Sequence, residues 1–169
     1  MPSGEDRLRE EIPGYLGYRD KRFRASTDRA FREYAAEEIH KLLDAIRRAV
    51  VFSPTPPTGD RMMVIEQILF KADDCRRKLL DETRVPKDLG QREMTDDEIE
   101  RLVAVEAKIV DMVKKLQELA DRVAASGLSR PEVIMVLKMI SEGLDALRGK
   151  VVERLEALKG SHEGARLNP

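Results

Sequence analysis

The fold is decided by two consecutive stretches, residues 95–126, TDDEIERLVAVEAKIVDMVKKLQELADRVAAS, and residues 129–159, SRPEVIMVLKMISEGLDALRGKVVERLEALK. Apolar side chains recur in both at intervals of three and four residues, which places them on one side of an α-helix. They are Ile99, Leu102, Ile109, Val113, Leu116, Ala120 and Val123 in the first stretch, and Val133, Leu137, Ile140, Leu144, Leu147, Val151 and Leu158 in the second. Because only a short turn separates the stretches, the pattern predicts an antiparallel helical hairpin of the coiled-coil type.

The start of each predicted helix is marked by a capping box. In the first helix Thr95 is followed by Glu98, and in the second Ser129 is followed by Glu132. In this motif each side chain accepts a hydrogen bond from the backbone N–H of the other residue, which satisfies two donors that the helix leaves free. The first helix is expected to end just before Gly127, because glycine can adopt the left-handed conformation that closes a helix.

Two further helices are predicted upstream of the hairpin. The longest uninterrupted apolar periodicity spans residues 20–52, and another spans residues 60–83 with Asp60 as its N-cap. The three prolines within residues 53–59 cannot continue a helix, since proline lacks the backbone donor. The chain must therefore turn between these two helices.

These patterns together predict an all-α fold with one folded domain. The predicted fold is an antiparallel bundle of four long helices with a short irregular N-terminal segment. The helices are expected at residues 20–52, 60–83, 96–126 and 130–159. The expected organisation is an N-terminal arm with a tyrosine and glycine motif at residues 1–19, the bundle at 20–160 and a flexible tail at 161–169.

The composition favours solvated helices and excludes several classes of protein. Charged residues make up 37% of the chain and the formal net charge is −1, which excludes a uniformly basic nucleic-acid binder. Cys75 is the single cysteine, so an intrachain disulfide or a cysteine-bound metal cluster cannot form. No N-terminal apolar signal region and no run of about 18 apolar residues occurs, so a cytoplasmic location is expected. Asn and Gln together number four, which is typical of a thermophilic or GC-rich source.

One segment, residues 15–32, departs from the composition of a solvated bundle. It combines aromatic and basic side chains, and the candidate interaction surface is Tyr15, Tyr18, Arg19, Lys21, Arg22, Phe23, Arg24, Arg29 and Arg32. Cations interleaved with aromatic rings suit nucleic acid, an anionic membrane surface or an acidic protein. The alternative interpretation is structural, with the aromatic rings covering one end of the bundle and the arginines merely solvated.

This segment overlaps a short motif, Pro13-Gly-Tyr-Leu-Gly-Tyr-Arg-Asp-Lys21, within a stretch from Ile12 to Arg24 that is followed by Asp28. The stretch resembles the N-terminal motif, of the PGYxGYxxK type, of a group of uncharacterised prokaryotic helical proteins in which it precedes a long charged helix. The resemblance implies that the tyrosine and glycine motif is a recurring feature. It implies no activity, because that group has no assigned biochemistry.

Two charged residues interrupt the apolar pattern of the hairpin, Glu106 in the first helix and Arg154 in the second. Each occupies a heptad position at which an apolar side chain is expected. A carboxylate there is either buried and paired or located where the seam opens, and a buried carboxylate can handle protons. We interpret Glu106 and Arg154 as candidate buried polar residues, with Arg154 as the candidate partner of Glu106.

Candidate catalytic and metal-binding residues are scarce. The stretch Glu37-Glu-Ile-His40 contains the Glu-x-x-His pattern of ferritin-like di-iron sites, but a second such motif is missing and the other histidine, His162, lies in the predicted tail. The sequence has no nucleophile elbow and no glycine-rich phosphate loop, and Cys75 falls on an apolar face. No catalytic residue, cofactor, metal ion or small-molecule substrate is therefore predicted.

The sequence favours a non-enzymatic interaction or scaffold protein that self-associates or binds a protein partner. Apolar seams and helix caps without convergent catalytic groups support this function. Binding of nucleic acid or an anionic membrane through residues 15–32 is the alternative, and a metal-binding ferritin-like bundle is a minor alternative.

Overall fold

A computed structural model describes residues 3–160 of the chain. Five α-helices account for most of this range, and no strand occurs within it. They are α1 (Gly4–Glu11), α2 (Arg24–Val51), α3 (Gly59–Leu80), α4 (Asp96–Ser126) and α5 (Val133–Lys159). Two 3-10 turns, Lys21–Phe23 and Glu82–Arg84, precede α2 and follow α3. The predicted all-α bundle with four long helices is confirmed.

The apolar side chains that predicted the hairpin form the core of the bundle. Every apolar seam position quoted for α4 and α5 is buried. The facing sides of α2 and α3 are buried in the same cluster, which includes Phe31, Ile39, Ile46, Ile65, Ile68 and Cys75. Each fully buried aliphatic side chain contributes about 1.5–3 kcal/mol, so these seams dominate the stability of the fold. Within residues 3–160, no helix is both long enough and apolar enough to cross a membrane.

The four long helices form two hairpins that pack on each other. Within a hairpin the helices are antiparallel, and between the hairpins α2 packs on α4 and α3 packs on α5. Contacts between α3 and α5 advance in the same direction along both helices, since Lys71 pairs with Asp145 and Asp74 pairs with Arg148. These neighbours are therefore parallel. The connection from α3 to α4, residues 81–95, consequently crosses the diagonal at one end of the bundle.

The N-terminal segment lies against α4. Arg7 of α1 forms an ion pair with Asp111 at 2.6 Å. Leu8 and Ile12 are buried in the apolar cluster that the long helices form, so residues 3–19 and the bundle share one core. The predicted tail, residues 161–169, lies outside the described residues, as do residues 1 and 2.

Three helices, α2, α3 and α5, start at other residues than predicted. α2 begins at Arg24 because Asp20 caps the preceding 3-10 turn, accepting a hydrogen bond from the Arg22 N–H at 3.0 Å. α3 begins at Gly59 without a side-chain cap, so Asp60 lies in the first turn and is not the N-cap.

Of the two predicted capping boxes, one is present. Thr95 Oγ1 accepts a hydrogen bond from the Glu98 N–H at 3.2 Å, and the Glu98 carboxylate accepts one from the Thr95 N–H. The box at Ser129 is absent, and α5 begins at Val133 without a side-chain cap. The physical reason is Pro131, whose ring disfavours the helical conformation of the residue before it and delays the start of the helix.

Candidate functional site

The polar groups of the interior converge on one carboxylate, Glu106 of α4, which is fully buried. The hydroxyl of Tyr15 donates a hydrogen bond to its Oε2 at 2.5 Å, and the hydroxyl of Tyr18 donates to its Oε1 at 2.5 Å. Arg154 of α5 donates from Nε to Oε1 at 2.9 Å. Glu106 and Arg154, the predicted buried polar residues, are thus both buried and in direct contact.

Arg154 also joins this carboxylate to a second one. Its Nη2 donates to Asp28 Oδ1 at 2.6 Å, and Asp28 Oδ2 accepts from Arg32 Nε at 2.9 Å. The Arg154 guanidinium lies 4.5 Å from the centre of the Phe31 ring, a cation–π contact. We call six residues the buried network: Tyr15, Tyr18, Asp28, Arg32, Glu106 and Arg154. Its two carboxylates and two guanidiniums balance each other, as charges taken out of water require.

The Pro-Gly-Tyr-Leu-Gly-Tyr motif turns the chain so that both tyrosines reach Glu106. Gly14 and Gly17 have φ angles of +83° and +92°, a region that residues with a side chain rarely adopt. Thr27 of α2 holds this turn, because its hydroxyl donates to the Gly17 carbonyl at 3.0 Å and accepts from the Leu16 N–H at 3.2 Å. The glycines of the motif are therefore needed for the backbone conformation of this turn.

A second buried arginine, Arg24, ties the motif to the connection between α3 and α4. Its side chain donates to the carbonyl oxygens of Tyr18 at 2.7 Å and Leu89 at 3.3 Å, and to that of Arg92. Arg92 in turn donates to the carbonyl oxygen of Leu158, near the end of α5, at 2.6 Å. The motif, the connection and the end of α5 are thereby fixed to one another.

Burial changes the protonation of the network. It raises the pKa of Tyr15 and Tyr18 well above the ordinary value, and the nearby carboxylate of Glu106 adds to this effect. Burial also raises the pKa of Glu106, although the charge of Arg154 opposes this. The two hydroxyls consequently remain protonated donors at a pH at which the unfolded chain ionises its tyrosines.

We expect the free energy of unfolding to fall as the pH rises above 10.0, the ordinary pKa of tyrosine. Above this pH the unfolded chain releases the protons of Tyr15 and Tyr18 while the native chain keeps them. Their contribution is therefore fully present below this value and is lost at higher pH. Each tyrosine adds a slope of about 1.4 kcal/mol per pH unit, and the two together about 2.7 kcal/mol. Urea unfolding at several pH values from about 9 to 11 measures this slope.

The control for this prediction is the chain with Tyr15→Phe and Tyr18→Phe, which lacks both ionisable hydroxyls. Burial raises the pKa of Cys75 to about 12, and this contribution is common to both chains. The variant is expected to lose the part of the slope that Tyr15 and Tyr18 contribute. The contribution of Tyr34, whose pKa burial also raises, is common to both chains. Equal slopes in the two chains would contradict the prediction.

The buried network offers no free group to a substrate. Each of its side chains makes at least one hydrogen bond to another member. Five surface grooves of the described chain include none of the six residues in their linings. The network holds the N-terminal segment on α2, α4 and α5.

The structure divides the predicted interaction surface. Tyr15, Tyr18, Arg24 and Arg32 are buried, because their hydrogen-bond partners lie inside the bundle, and they form no part of an exposed surface. The other predicted residues are exposed or half-buried: Arg19, Lys21, Arg22, Phe23 and Arg29. Each cation among them has a carboxylate partner within the chain, in the pairs Arg19–Asp96, Lys21–Glu93, Arg22–Asp20 and Arg29–Glu33. The segment therefore presents little unpaired positive charge.

The Glu-x-x-His pattern of α2 does not meet further ligands. His40 Nε2 lies 3.4 Å from Asp44 Oδ2, and Glu37 is exposed to solvent. Within residues 3–160, no group of three or more His, Cys, Asp or Glu side chains is placed to hold a metal ion. His162 lies outside this range. The Cys75 thiol is buried and stays protonated at neutral pH, since burial raises its pKa to about 12.

Sequence reasoning missed a surface on the hairpin of α4 and α5, which we call the α4–α5 face. One edge, on α4, exposes basic side chains at intervals of seven residues: Arg101, Lys108, Lys115 and Arg122. The facing edge exposes Glu132, the residue before α5, and Met135, Met139, Glu142 and Glu153 of α5. Half-buried Lys150 pairs with Glu153 there. Grooves lie between the two edges along their length, and Met112, Leu116 and Leu119 line the central one. The seven-residue spacing of the basic residues is the signal that could have found this face.

Comparisons of this chain with models of protein families, with curated proteins and with solved structures found no match. The fold and the network define an all-α bundle whose N-terminal segment is fixed by buried polar contacts. Its function must therefore be inferred from its own residues.

Proposed function

We propose that this protein is a non-enzymatic interaction or scaffold protein that works as an oligomer in the cytoplasm. The observation that carries the proposal is the set of large apolar side chains on the outside of the bundle. In the described chain this set includes Val51, Phe52, Met63, Phe70, Met135 and Met139, with Phe52 79% and Met135 69% exposed. Apolar side chains exposed in this way favour burial against another protein surface.

The closed interior supports the same function. The buried network satisfies its own charges and holds the N-terminal segment against three helices, so the outer faces are kept at fixed positions. A preorganised surface loses little conformational entropy on binding, which favours association. Within residues 3–160, the six network residues line none of the five grooves described above, in keeping with a role in binding.

The solution mass of the full chain tests the proposal. We expect light scattering after size-exclusion chromatography to give a multiple of the 19.2 kDa chain mass at micromolar concentration, in both low and high salt. A 19.2 kDa particle at every concentration would overturn self-association. Nucleic acid or lipid that co-elutes only at low salt would favour the alternative function through residues 15–32, because phosphate contacts are salt-dependent. Turnover or a tightly bound metal ion would overturn the non-enzymatic assignment.

A further inference from the structure

We propose that the α4–α5 face binds a second copy of this chain in a two-fold symmetric contact. This inference rests on the self-association proposed above and names the surface that carries it. The second copy is the occupant because the face carries two edges of opposite charge, so it is complementary to itself.

Four charged groups of this face have no ion-pair partner within the described chain. Lys108, Lys115 and Arg122 are exposed, and no carboxylate of residues 3–160 lies within 4.0 Å of their charged atoms. Glu142 likewise has no cation within that distance. Glu153 differs, because it is paired with Lys150 of the same helix at 2.8 Å. The α4–α5 face therefore retains the charges of Lys108, Lys115, Arg122 and Glu142 for an external partner.

In the hairpin, the lysines of α4 and the glutamates of α5 lie at similar positions along the bundle axis, and we call this position the height of a residue. Leu116 packs so closely on Gly143 that a Cβ there would lie 2.5 Å from Leu116 Cδ2, which fixes the register of α4 against α5. A rise of about 1.5 Å per residue from this contact places each lysine within about 3 Å of the height of a glutamate on the other edge. The two pairs that lie within this distance are Lys108 with Glu153 and Lys115 with Glu142.

Two-fold symmetry would place the lysines of one copy opposite the glutamates of the other. A two-fold axis parallel to the helices places α4 of one copy opposite α5 of the other without changing the height of any residue. Each basic edge then meets an acidic edge, and both lysine–glutamate pairs occur twice. A docking that placed α4 on α4 would instead bring basic edges together, which costs several kcal/mol. Charge therefore selects one orientation.

The strip between the edges supplies apolar contact. Met139 is 49% exposed, and it lies beside Met112, Leu116 and Leu119 in the central groove. Methionine adapts its shape to a partner, which suits a contact surface. α5 has 27 residues and is about 40 Å long, so a face two helices wide, about 20 Å, offers about 800 Å² per copy. A stable interface of standard size buries about this area on each partner.

The test compares the dimerisation of charge-reversed full-length chains by light scattering and sedimentation equilibrium. Lys108→Glu with Lys115→Glu makes the paired positions of both edges acidic, and Glu142→Lys with Glu153→Lys makes the paired positions of both edges basic. Each variant alone is expected to dimerise at least about 100-fold more weakly than the original chain, because like charges then face each other. An equimolar mixture of the two is expected to form the heterodimer, because every acidic edge then meets a basic one.

The mixture also shows that the reversed chains are folded, since only a native face can restore the contact. The matched control is Arg48→Glu with Glu66→Lys, two exposed residues on α2 and α3 outside the face, and it is expected to dimerise like the original chain. An original chain that is monomeric overturns the proposed function. Reversed variants that dimerise normally, or a mixture that stays monomeric, overturn this interface and leave the proposed self-association intact.

Discussion

Replacement of Arg154 by methionine is expected to lower the free energy of unfolding by about 3–5 kcal/mol. Arg154 is 1% exposed, and it donates to Asp28 at 2.6 Å and to Glu106 at 2.9 Å. Methionine keeps most of the length of the side chain but leaves two buried carboxylates without this counter-charge. An uncompensated buried charge is among the most destabilising changes a single substitution makes. Urea unfolding monitored by circular dichroism measures the loss.

Arg148→Met is the matched control on the same helix. Arg148 pairs with Asp74 at 3.1 Å, but its side chain is 34% exposed, so we expect a loss below about 1 kcal/mol. A double-mutant cycle of Arg154→Met with Glu106→Gln should show a coupling of at least about 1 kcal/mol, because these residues are in contact. Equal losses for the Arg154 and Arg148 variants, or strictly additive effects in the cycle, would rule out the structural role of the pair.

Removing both network hydroxyls, by Tyr15→Phe with Tyr18→Phe, is expected to cost about 3–6 kcal/mol, since each hydrogen bond to a charged group contributes about 1.5–3 kcal/mol. Both hydroxyls donate to Glu106 at 2.5 Å, so the variant leaves Arg154 as its remaining network partner. Phenylalanine retains the ring and its packing, which confines the change to the hydroxyl. Thermal unfolding and amide hydrogen exchange of residues 8–18 measure the effect.

Tyr34→Phe provides the comparison for this double variant. Tyr34 is half-buried on α2, and its hydroxyl makes no hydrogen bond to a described residue. Its loss is expected to change the free energy of unfolding by less than about 0.5 kcal/mol. If the network variant changed stability as little as this control, the hydroxyls would not hold the N-terminal segment.

The helices of this protein could be predicted from sequence because their signals are local. The spacing of Ile99, Leu102 and Ile109 can be interpreted within about three turns of a single helix, and the Thr95 cap is completed three residues later by Glu98. The cap at Ser129 was wrong for an equally local reason, since the following proline shifts the start of the helix. Patterns of neighbouring residues therefore predict the helices, and a neighbouring residue that disfavours the helix explains the wrong cap.

The buried network could be predicted only in part. Glu106 and Arg154 stood out as polar residues at apolar positions, but the partners of Glu106 include tyrosines 91 and 88 residues away in the chain. Periodicity does not report contacts at such separations. The aromatic and basic composition of residues 15–32 is compatible with an exposed binding surface and also with a buried set of contacts. The turn that directs the tyrosines inward depends on the positive φ angles at Gly14 and Gly17 and on the hydrogen bonds of Thr27.

The α4–α5 face was missed for a different reason. Basic residues at intervals of seven, such as Lys108 and Lys115, are ordinary on the solvated side of a long helix. Their significance depends on the acidic edge of α5, and the heights of the two edges follow from the contact of Leu116 with Gly143. Helix periodicity alone assigns a residue to a side of its own helix and does not align it with another helix.

The wide separation of the network residues also bears on how the chain folds during synthesis. Tyr18 and its partner Arg154 are 136 residues apart, so the N-terminal motif leaves the ribosome long before the residue that secures it. At about 5–20 residues per second, this interval lasts about 7 to 27 seconds. Glu106, which accepts from both tyrosines, is made 88 residues after Tyr18, and Arg154 follows later still. The hairpin of α2 and α3 can therefore form before the network is complete. Docking of the N-terminal segment is thus completed late in folding, after α5 has been synthesised.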